Sequence, residues 1–235
     1  MRETNTSGNE ISNGRYIIDQ TTGLYKDSKV ETNVVGNREP TMIGGINNSL
    51  TYKNFNLSFL FDLRLGGDIY NGTEYYLSSK GLSNRTLNRE SVTFTGVVNT
   101  GTAAAPTYEE KTITYAADKT YTVNGAQKSG QYMIQQYWDA YNNNAYNFIT
   151  KTNWIRLRSV SLSYDFKDLL KKQNLIKGLS ATLTGTNLLL ITNYKGLDPE
   201  TCASGSGTGG SGSAGIDYCG VPATAGVSFG VNLTF

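Results

Sequence analysis

The chain has 235 residues, a formal net charge of +2 and 17% charged residues, and it contains no histidine. Lack of histidine excludes Ser-His-Asp and Cys-His nucleophiles and every His-ligated metal site, and the small net charge without a dense Lys/Arg block implies no nucleic-acid partner. A composition with 26 Gly, 16 Tyr and much Asn, Ser and Thr suits many strands joined by irregular loops.

In chain order, residues 1–40 read as loop, and the start at Met1-Arg2-Glu3-Thr4 has no apolar signal-peptide core behind it. A first strand is predicted over 41–52, with Met42, Ile46, Leu50 and Tyr52 on one face. Only Lys53-Asn54 separates it from a second strand over 55–66, so the two form a tight hairpin. In the second strand Phe55, Leu57, Phe59, Phe61 and Leu63 share a face that alternates with Asn56, Ser58, Leu60, Asp62 and Arg64. That is about twice the usual strand length in soluble domains and is long enough to cross a hydrocarbon layer when tilted. Residues 67–152 then lose the period and read as a long loop with hairpins of its own and a short helix before Leu87.

A third strand covers 153–166, where Val160, Leu162, Tyr164 and Phe166 face one way while Ile155 and Leu157 have the other parity. A bulge near Arg158 is expected from that change. After a basic amphipathic connector over Lys167–Lys177, a fourth strand covers 178–192, with Leu188 and Leu190 breaking its polar face. Residues 193–222 form a second long loop whose Ala203–Gly215 stretch, almost pure Gly and Ser, should be flexible. A fifth strand, 223–235, places Val227, Phe229 and Val231 opposite Ser228, Gly230 and Asn232.

No run approaches the roughly 20 apolar residues of a membrane helix, yet strands that alternate between lipid and a polar lumen also keep mean hydropathy low, as at −0.37 here. Five long strands whose connections alternate short and long match a membrane barrel, with brief turns on one side and long loops on the other. The fold expected is all-β, part of a transmembrane antiparallel β-barrel with long extracellular loops. Phe55, Leu57, Phe59, Phe61, Leu63, Val227, Phe229 and Val231 are then the lipid-facing residues, and Tyr52, Phe55, Tyr164, Phe166 and Phe235 an interfacial girdle.

Several stretches, in this order and spacing, resemble the C-terminal region of SusC/RagA-type TonB-dependent transporters. They are Val35-Gly36-Asn37-Arg38-Glu39-Pro40, Ile43-Gly44-Gly45-Ile46-Asn47-Asn48, Leu57-Ser58-Phe59-Leu60-Phe61-Asp62 and Gly66-Gly67-Asp68-Ile69-Tyr70-Asn71. Ile155-Arg156-Leu157-Arg158-Ser159-Val160 and Thr184-Gly185-Thr186-Asn187-Leu188 follow, then Tyr194-Lys195-Gly196-Leu197-Asp198-Pro199-Glu200. Ser228, Gly230, Leu233 and Phe235 also resemble the β-signal read by the outer-membrane assembly machinery. The resemblance implies about five C-terminal strands of a barrel of about 22 strands, in the cell outer membrane, without the N-terminal plug. It further implies uptake of oligosaccharide or peptide with a SusD-like surface lipoprotein, the TonB complex engaging a missing N-terminal part, no cofactor and no enzymatic activity.

Other candidates carry less chemistry. Gly205-Ser206-Gly207-Thr208-Gly209-Gly210 fits a dinucleotide fingerprint but lacks the flanking strand and helix that fingerprint needs. Cys202 and Cys219 bracket the Gly/Ser stretch and are a possible disulfide, worth about 3 kcal/mol in the loop-entropy picture if the loop lies outside the cell. Glu109-Glu110 and Asp198/Glu200 read as solvated loop charges, and Asp62 and Arg64 as polar-face residues that pair across strands or line the lumen. Tyr70, Tyr75, Tyr76, Tyr132, Tyr137, Trp138 and Tyr141 either stack on sugars, meet a lipoprotein or pack the loop. The rival readings are a surface or secreted β-sandwich used for adhesion, which leaves the strand length unexplained, and a small complete pore, which an odd strand count opposes.

Overall fold

The computed structural model describes residues 14–26, 36–102, 104–170, 175–200 and 215–235. In chain order the elements are β1 (Met42–Tyr52), β2 (Phe55–Leu65), β3 (Asp68–Asn71), α1 (Gly72–Ser79), β4 (Ser91–Asn99), β5 (Tyr108–Ala116), β6 (Thr120–Val123) and β7 (Ala126–Ser129). There follow α2 (Gly130–Asn142), β8 (Ile149–Lys151), β9 (Trp154–Asp165), α3 (Lys167–Leu170), β10 (Gly178–Thr192), β11 (Ile216–Asp217) and β12 (Gly226–Thr234). The chain divides into two compact units, one drawn from Met1–Val35 and Asn71–Ile149, the other from Gly36–Tyr70 and Thr150–Phe235.

The second unit is built on a five-stranded sheet in the order β1-β2-β9-β10-β12, with a small sheet β11-β3-β8 beside the long strands. All four pairings of the large sheet are antiparallel. Alternation in the sequence becomes two faces because successive side chains of a strand point to opposite sides. Across one face run the rows Leu50–Leu57–Leu162–Leu183–Phe229 and Tyr52–Phe55–Tyr164–Ala181–Val231. Across the other run Ser49–Ser58–Ser161–Thr184–Ser228 and Thr51–Asn56–Ser163–Thr182–Gly230. The β1–β2 hairpin closes through Lys53 and Asn54, with Lys53 at φ 54°, a left-handed conformation that carries a penalty of about 1–2 kcal/mol for a side-chain-bearing residue.

The irregularity expected near Arg158 is a double one. Leu60 pairs with Ser159 and Phe61 with Leu157, so Arg158 has no partner on β2. On β10, Thr186 pairs with Ser159 and Leu189 with Leu157, leaving Asn187 and Leu188 opposite Arg158. Asn187 takes φ 52°, the left-handed region that Asn tolerates better than most side chains. The bulge resets the parity of β9, so that Leu157 and Val160 share a face, while β10 keeps Leu183, Leu189 and Ile191 on the apolar side throughout. Within the bulge, the reading of Leu188 as a break in the polar face is corrected. Leu188 instead folds over Gly185, where a Cβ would lie 2.4 Å from its side chain. Leu190 does stand on the polar face, opposite Arg156.

The other unit has its own core of Ile18, Phe94, Val98, Tyr115, Met133, Ile134 and Tyr137. Its β4–β5 hairpin carries the cross-strand hydroxyl pairs Thr93–Thr114 and Thr95–Thr112, both at 2.9 Å. Helix α2 packs on this hairpin. It starts where the Ser129 side chain accepts the Tyr132 N–H at 3.2 Å, a cap for one of the orphan donors of the first turn. A Cβ at Gly130 would sit 1.7 Å from the Ala116 carbonyl oxygen, so only glycine allows this start. Among the described residues no helix is long and apolar enough to cross a membrane, which says nothing of strands.

The apolar face of the large sheet lies open. Phe229 is 70% exposed, and Val227, Val231, Leu183, Ile191, Ile46 and Leu50 are exposed beside it. Strands β1 and β12 each have a single neighbour in the sheet, so two edges and one broad apolar face await cover. The isolated chain should therefore aggregate in plain buffer and disperse in detergent. Size-exclusion chromatography with light scattering in both conditions checks this, and a monodisperse, cooperatively unfolding monomer without detergent would refute it.

Candidate functional site

The functional surface of the five-stranded unit is its two faces and the ends that carry its loops. All eight residues expected to meet lipid share one face. Phe55, Leu57, Phe59, Phe61 and Leu63 line up there with Tyr164, Leu162, Val160, Leu157 and Ile155 of β9, and Val227, Phe229 and Val231 continue the rows across β10. At the hairpin end the rings of Phe55 and Tyr164 stand 4.6 Å apart and those of Tyr164 and Phe166 4.7 Å apart. Ser228, Gly230, Leu233 and Phe235 fall on or just beyond β12, the edge strand.

The opposite face begins with small hydroxyls, such as Ser161 Oγ and Thr184 Oγ1 at 2.6 Å. Toward the far end it becomes charged. Arg156 sits opposite Asp62 in the register, and the bulge delivers Arg158 to the same side, where its Nε donates to Asp62 Oδ2 at 2.6 Å. From the loop after β10, Asp198 Oδ1 accepts from Arg156 Nη2 at 2.5 Å. Glu200 engages Arg158 Nη2 through Oε1 and lies with Oε2 2.7 Å from Arg156 Nε. The guanidinium of Arg158 also lies over the Trp154 ring, 5.6 Å from its centroid. Two arginines and three carboxylates thus form one chain of ion pairs, Asp62–Arg158–Glu200–Arg156–Asp198.

This arrangement corrects the reading of Asp198 and Glu200 as solvated charges. Arg156 and Asp198 are each only 2% exposed, and a buried charge persists only when paired and hydrogen-bonded. Asp198 also accepts the N–H groups of Glu200 and Ala223, both at 3.0 Å. Burial alone would push its carboxyl up, but those two N–H groups and the Arg156 guanidinium outweigh it and hold Asp198 below the ordinary carboxylate range. Tyr194 fixes the start of the same loop by donating its hydroxyl to the buried Asp217 at 2.6 Å. The segment from Tyr194 to Glu200 is therefore a strap tied down on the wall.

Asp62 and Arg64 pair as polar-face residues should, Asp62 with Arg158 and Arg64 through Nη2 to the Arg38 carbonyl at 2.6 Å. Glu109 and Glu110 are exposed neighbours on β5, on opposite sides of the strand. Cys202 lies outside the described residues, so its pairing with Cys219 does too, as do the Gly205–Gly210 fingerprint and most of the Gly/Ser stretch. Among the described residues no group of three or more metal-ligating side chains forms.

The aromatics of the other unit divide. Tyr137 is buried and stacks on Phe94 at 4.6 Å, and Tyr75 packs edge-on to Phe148 at 5.5 Å, so both serve packing. Tyr132 stays exposed, with Lys128 Nζ 5.0 Å from its ring. Helix α2 was missed in the sequence, although Met133, Ile134, Tyr137, Trp138 and Tyr141 follow a Ser129 cap at helical spacing. The surrounding Gln and Asn hid that stripe.

If the strap is tied as described, Asp198→Ala should destabilise the five-stranded unit by about 3–5 kcal/mol, because it strands the Arg156 charge in a buried site. The double variant Arg156→Met/Asp198→Leu should recover most of that loss, and denaturant unfolding in detergent measures both. The Asp198 contribution is complete above its unfolded value of 3.8 and is lost as pH falls below that through the folded-state value. Asp198→Asn should therefore flatten the acid limb of the stability profile.

No family model matches the chain. TonB-dependent receptor P3 of Formosa agariphila is 26% identical over 210 residues, 88% of this chain and 18% of that protein. TonB-dependent receptors P39 and P26 of the same organism are 26% and 28% identical over 197 and 203 residues. The chain thus spans less than a fifth of the curated relatives it matches. Among solved structures it superposes on the RagAB peptide importer in the "open-open" state with a TM-score of 0.51 and 18% identity, covering 94% of this chain and 20% of that one. The "closed-closed" state gives the same TM-score and identity over 99% of this chain.

Proposed function

We propose, from the premise that the chain is a segment of a SusC/RagA-type TonB-dependent receptor of the outer membrane, that it supplies barrel wall and external loop to a nutrient importer. The observation that carries this reading is the two-faced sheet. One face is apolar from row to row and fits lipid, and the other bears hydroxyls and a tied ion-pair chain that fits a polar lumen. The chain acts as part of a transporter and not as an enzyme. The cargo class proposed is oligosaccharide or peptide, taken up through the whole receptor with energy from the TonB complex and a SusD-like lipoprotein at the outer surface.

In this reading the unit rich in helix and hairpin stands outside the cell, and the short turns at Lys53–Asn54 and around α3 face the periplasm. Asn54 Nδ2 donates to Asp168 Oδ2 at 2.7 Å, which ties those two turns together. Strand β12 is the edge through which the sheet would pair during insertion, with Ser228, Gly230, Leu233 and Phe235 as the signal presented to the assembly machinery. An edge strand offers a ready row of unpaired backbone donors and acceptors, the physical basis of strand addition.

The test is in-frame disruption of this segment in the bacterium that carries it, followed by uptake of labelled oligosaccharides and peptides. Uncoupler-sensitive uptake of one class should disappear, and unchanged uptake of both would sink the proposal. A second outcome is expected of Phe235→Ala. It should lower the amount of heat-modifiable, membrane-inserted protein severalfold, and normal insertion would remove Phe235 from the signal.

A further inference from the structure

The turn that joins β9 to β10 differs from the short Lys53–Asn54 turn beside it. It exposes two large apolar side chains, Leu169 at 72% and Leu175 at 76%. Strands β2 and β12 flank β9 and β10, so both lateral neighbours of this turn are already in place, and a further barrel strand would not cover its leucines. The apolar face of the sheet leads into them. Phe55, Tyr164 and Phe166 form a run of rings 4.6 and 4.7 Å apart, and the Phe166 N–H, donated to the Leu179 carbonyl at 2.9 Å, fixes where that run ends.

Cations ring the same end of the sheet, where Lys53, Lys167 and Lys177 are all exposed. The Asn54–Asp168 bond holds the Lys53 turn against α3, and the Lys177 N–H donates to the Thr234 carbonyl at 2.7 Å, which holds Lys177 at the end of β12. Lys53 Nζ lies 5.4 Å from the Tyr52 ring centroid, within the aromatic girdle. Among the described residues none of the three lysines forms an ion pair. The acids nearby are engaged elsewhere. Asp165 stands on the polar face opposite Ser180 and accepts the Lys167 N–H at 3.0 Å, and Asp168 accepts from Asn54.

Exposed leucines flanked by lysines at the rim of an apolar face have the composition of an interfacial segment. There the apolar side chains enter the acyl boundary while the ammonium groups reach to the headgroups. On the lipid side of the wall the neighbour at hand is a phospholipid, and its phosphate supplies the counter-charge that the protein does not. We propose that the β9–β10 turn is an interfacial anchor that selects anionic phospholipid in the leaflet the short turns face, an inference that rests on the outer-membrane wall reading above.

The full chain carrying Leu175→Trp, in dodecyl maltoside micelles, would be titrated with brominated phosphatidylglycerol and, in parallel, with brominated phosphatidylcholine. Bromine quenches an indole that it touches, and the chain without the substitution is the blank for its two native tryptophans. Phosphatidylglycerol should half-quench the added indole at a mole fraction about five- to tenfold lower than phosphatidylcholine, because each lysine near an anionic surface favours it about fivefold and the nearby acids offset part of that. Lys53→Gln/Lys167→Gln/Lys177→Gln should bring the two lipids to parity without moving thermal unfolding. Lys119→Gln/Lys128→Gln, in the other unit, should leave the preference intact. Quenching by neither lipid, as a turn covered by protein or left in water would give, overturns the proposal. So does equal quenching by both, or a preference that survives the triple substitution. A chain that disperses in detergent yet shows no lipid preference would sink this inference alone, whereas a chain that folds as a monomer in plain buffer would sink the wall reading itself.

Discussion

A backbone placed in hydrocarbon must satisfy every N–H and C=O within the protein, because no water is there to accept or donate. The antiparallel ladder from β1 through β2, β9 and β10 to β12 meets that requirement for the three inner strands and leaves the outer edges of β1 and β12 to be paired by further strands. Everything else in this unit follows from it. Once the ladder is set, side chains divide by parity, and the rows led by Leu50 and Ser49 lie a single residue apart along β1 but face opposite solvents. A slip of one residue would turn Phe59 and Phe61 to the polar side and Ser58 and Asp62 to the apolar one. Register and environment are therefore one constraint.

The bulge at Arg158 shows how such a wall acquires chemistry without losing its face. Regular alternation carried along β9 from Val160 would turn both Arg156 and Arg158 to the apolar side. The parity shift between Val160 and Leu157 keeps both arginines with the polar side chains, and Asn187 absorbs the local strain on β10. Two guanidiniums so close would repel unless carboxylates met them, and Asp62, Asp198 and Glu200 do. Two of those three come from the loop after β10, so the charge on the wall determines where the loop lies.

The unit containing α2 obeys different physics. It has a closed aromatic core of Phe94, Tyr115 and Tyr137 with Ile18, Met133 and Ile134, as a domain in water needs. Tyrosine suits this place, since its ring packs while its hydroxyl reaches a partner, as Tyr115 does at the Gly23 carbonyl, 2.9 Å away. Burial pushes the Tyr115 and Tyr137 hydroxyls above their ordinary range, so they stay neutral hydrogen-bonding groups at any physiological pH.

Period-two alternation makes the five long strands legible in the sequence, because alternation depends only on neighbours along the chain. Phe55 to Leu65 and Val227 to Phe235 declared their faces that way, and the parity change between Leu157 and Val160 announced the bulge. The sequence alone likewise excluded histidine chemistry. It could not show that Asp198 and Glu200 come back to Arg156 and Arg158, since those ion pairs join residues 42 apart and strand periodicity carries no such information. Nor could it separate Tyr137 in the core from Tyr132 at the surface, because a helix framed by Gln and Asn takes its burial from the hairpin it packs on. Local pattern determined which residues share a face, and only tertiary structure decided which charges are buried, because burial belongs to the partner that arrives from elsewhere in the chain.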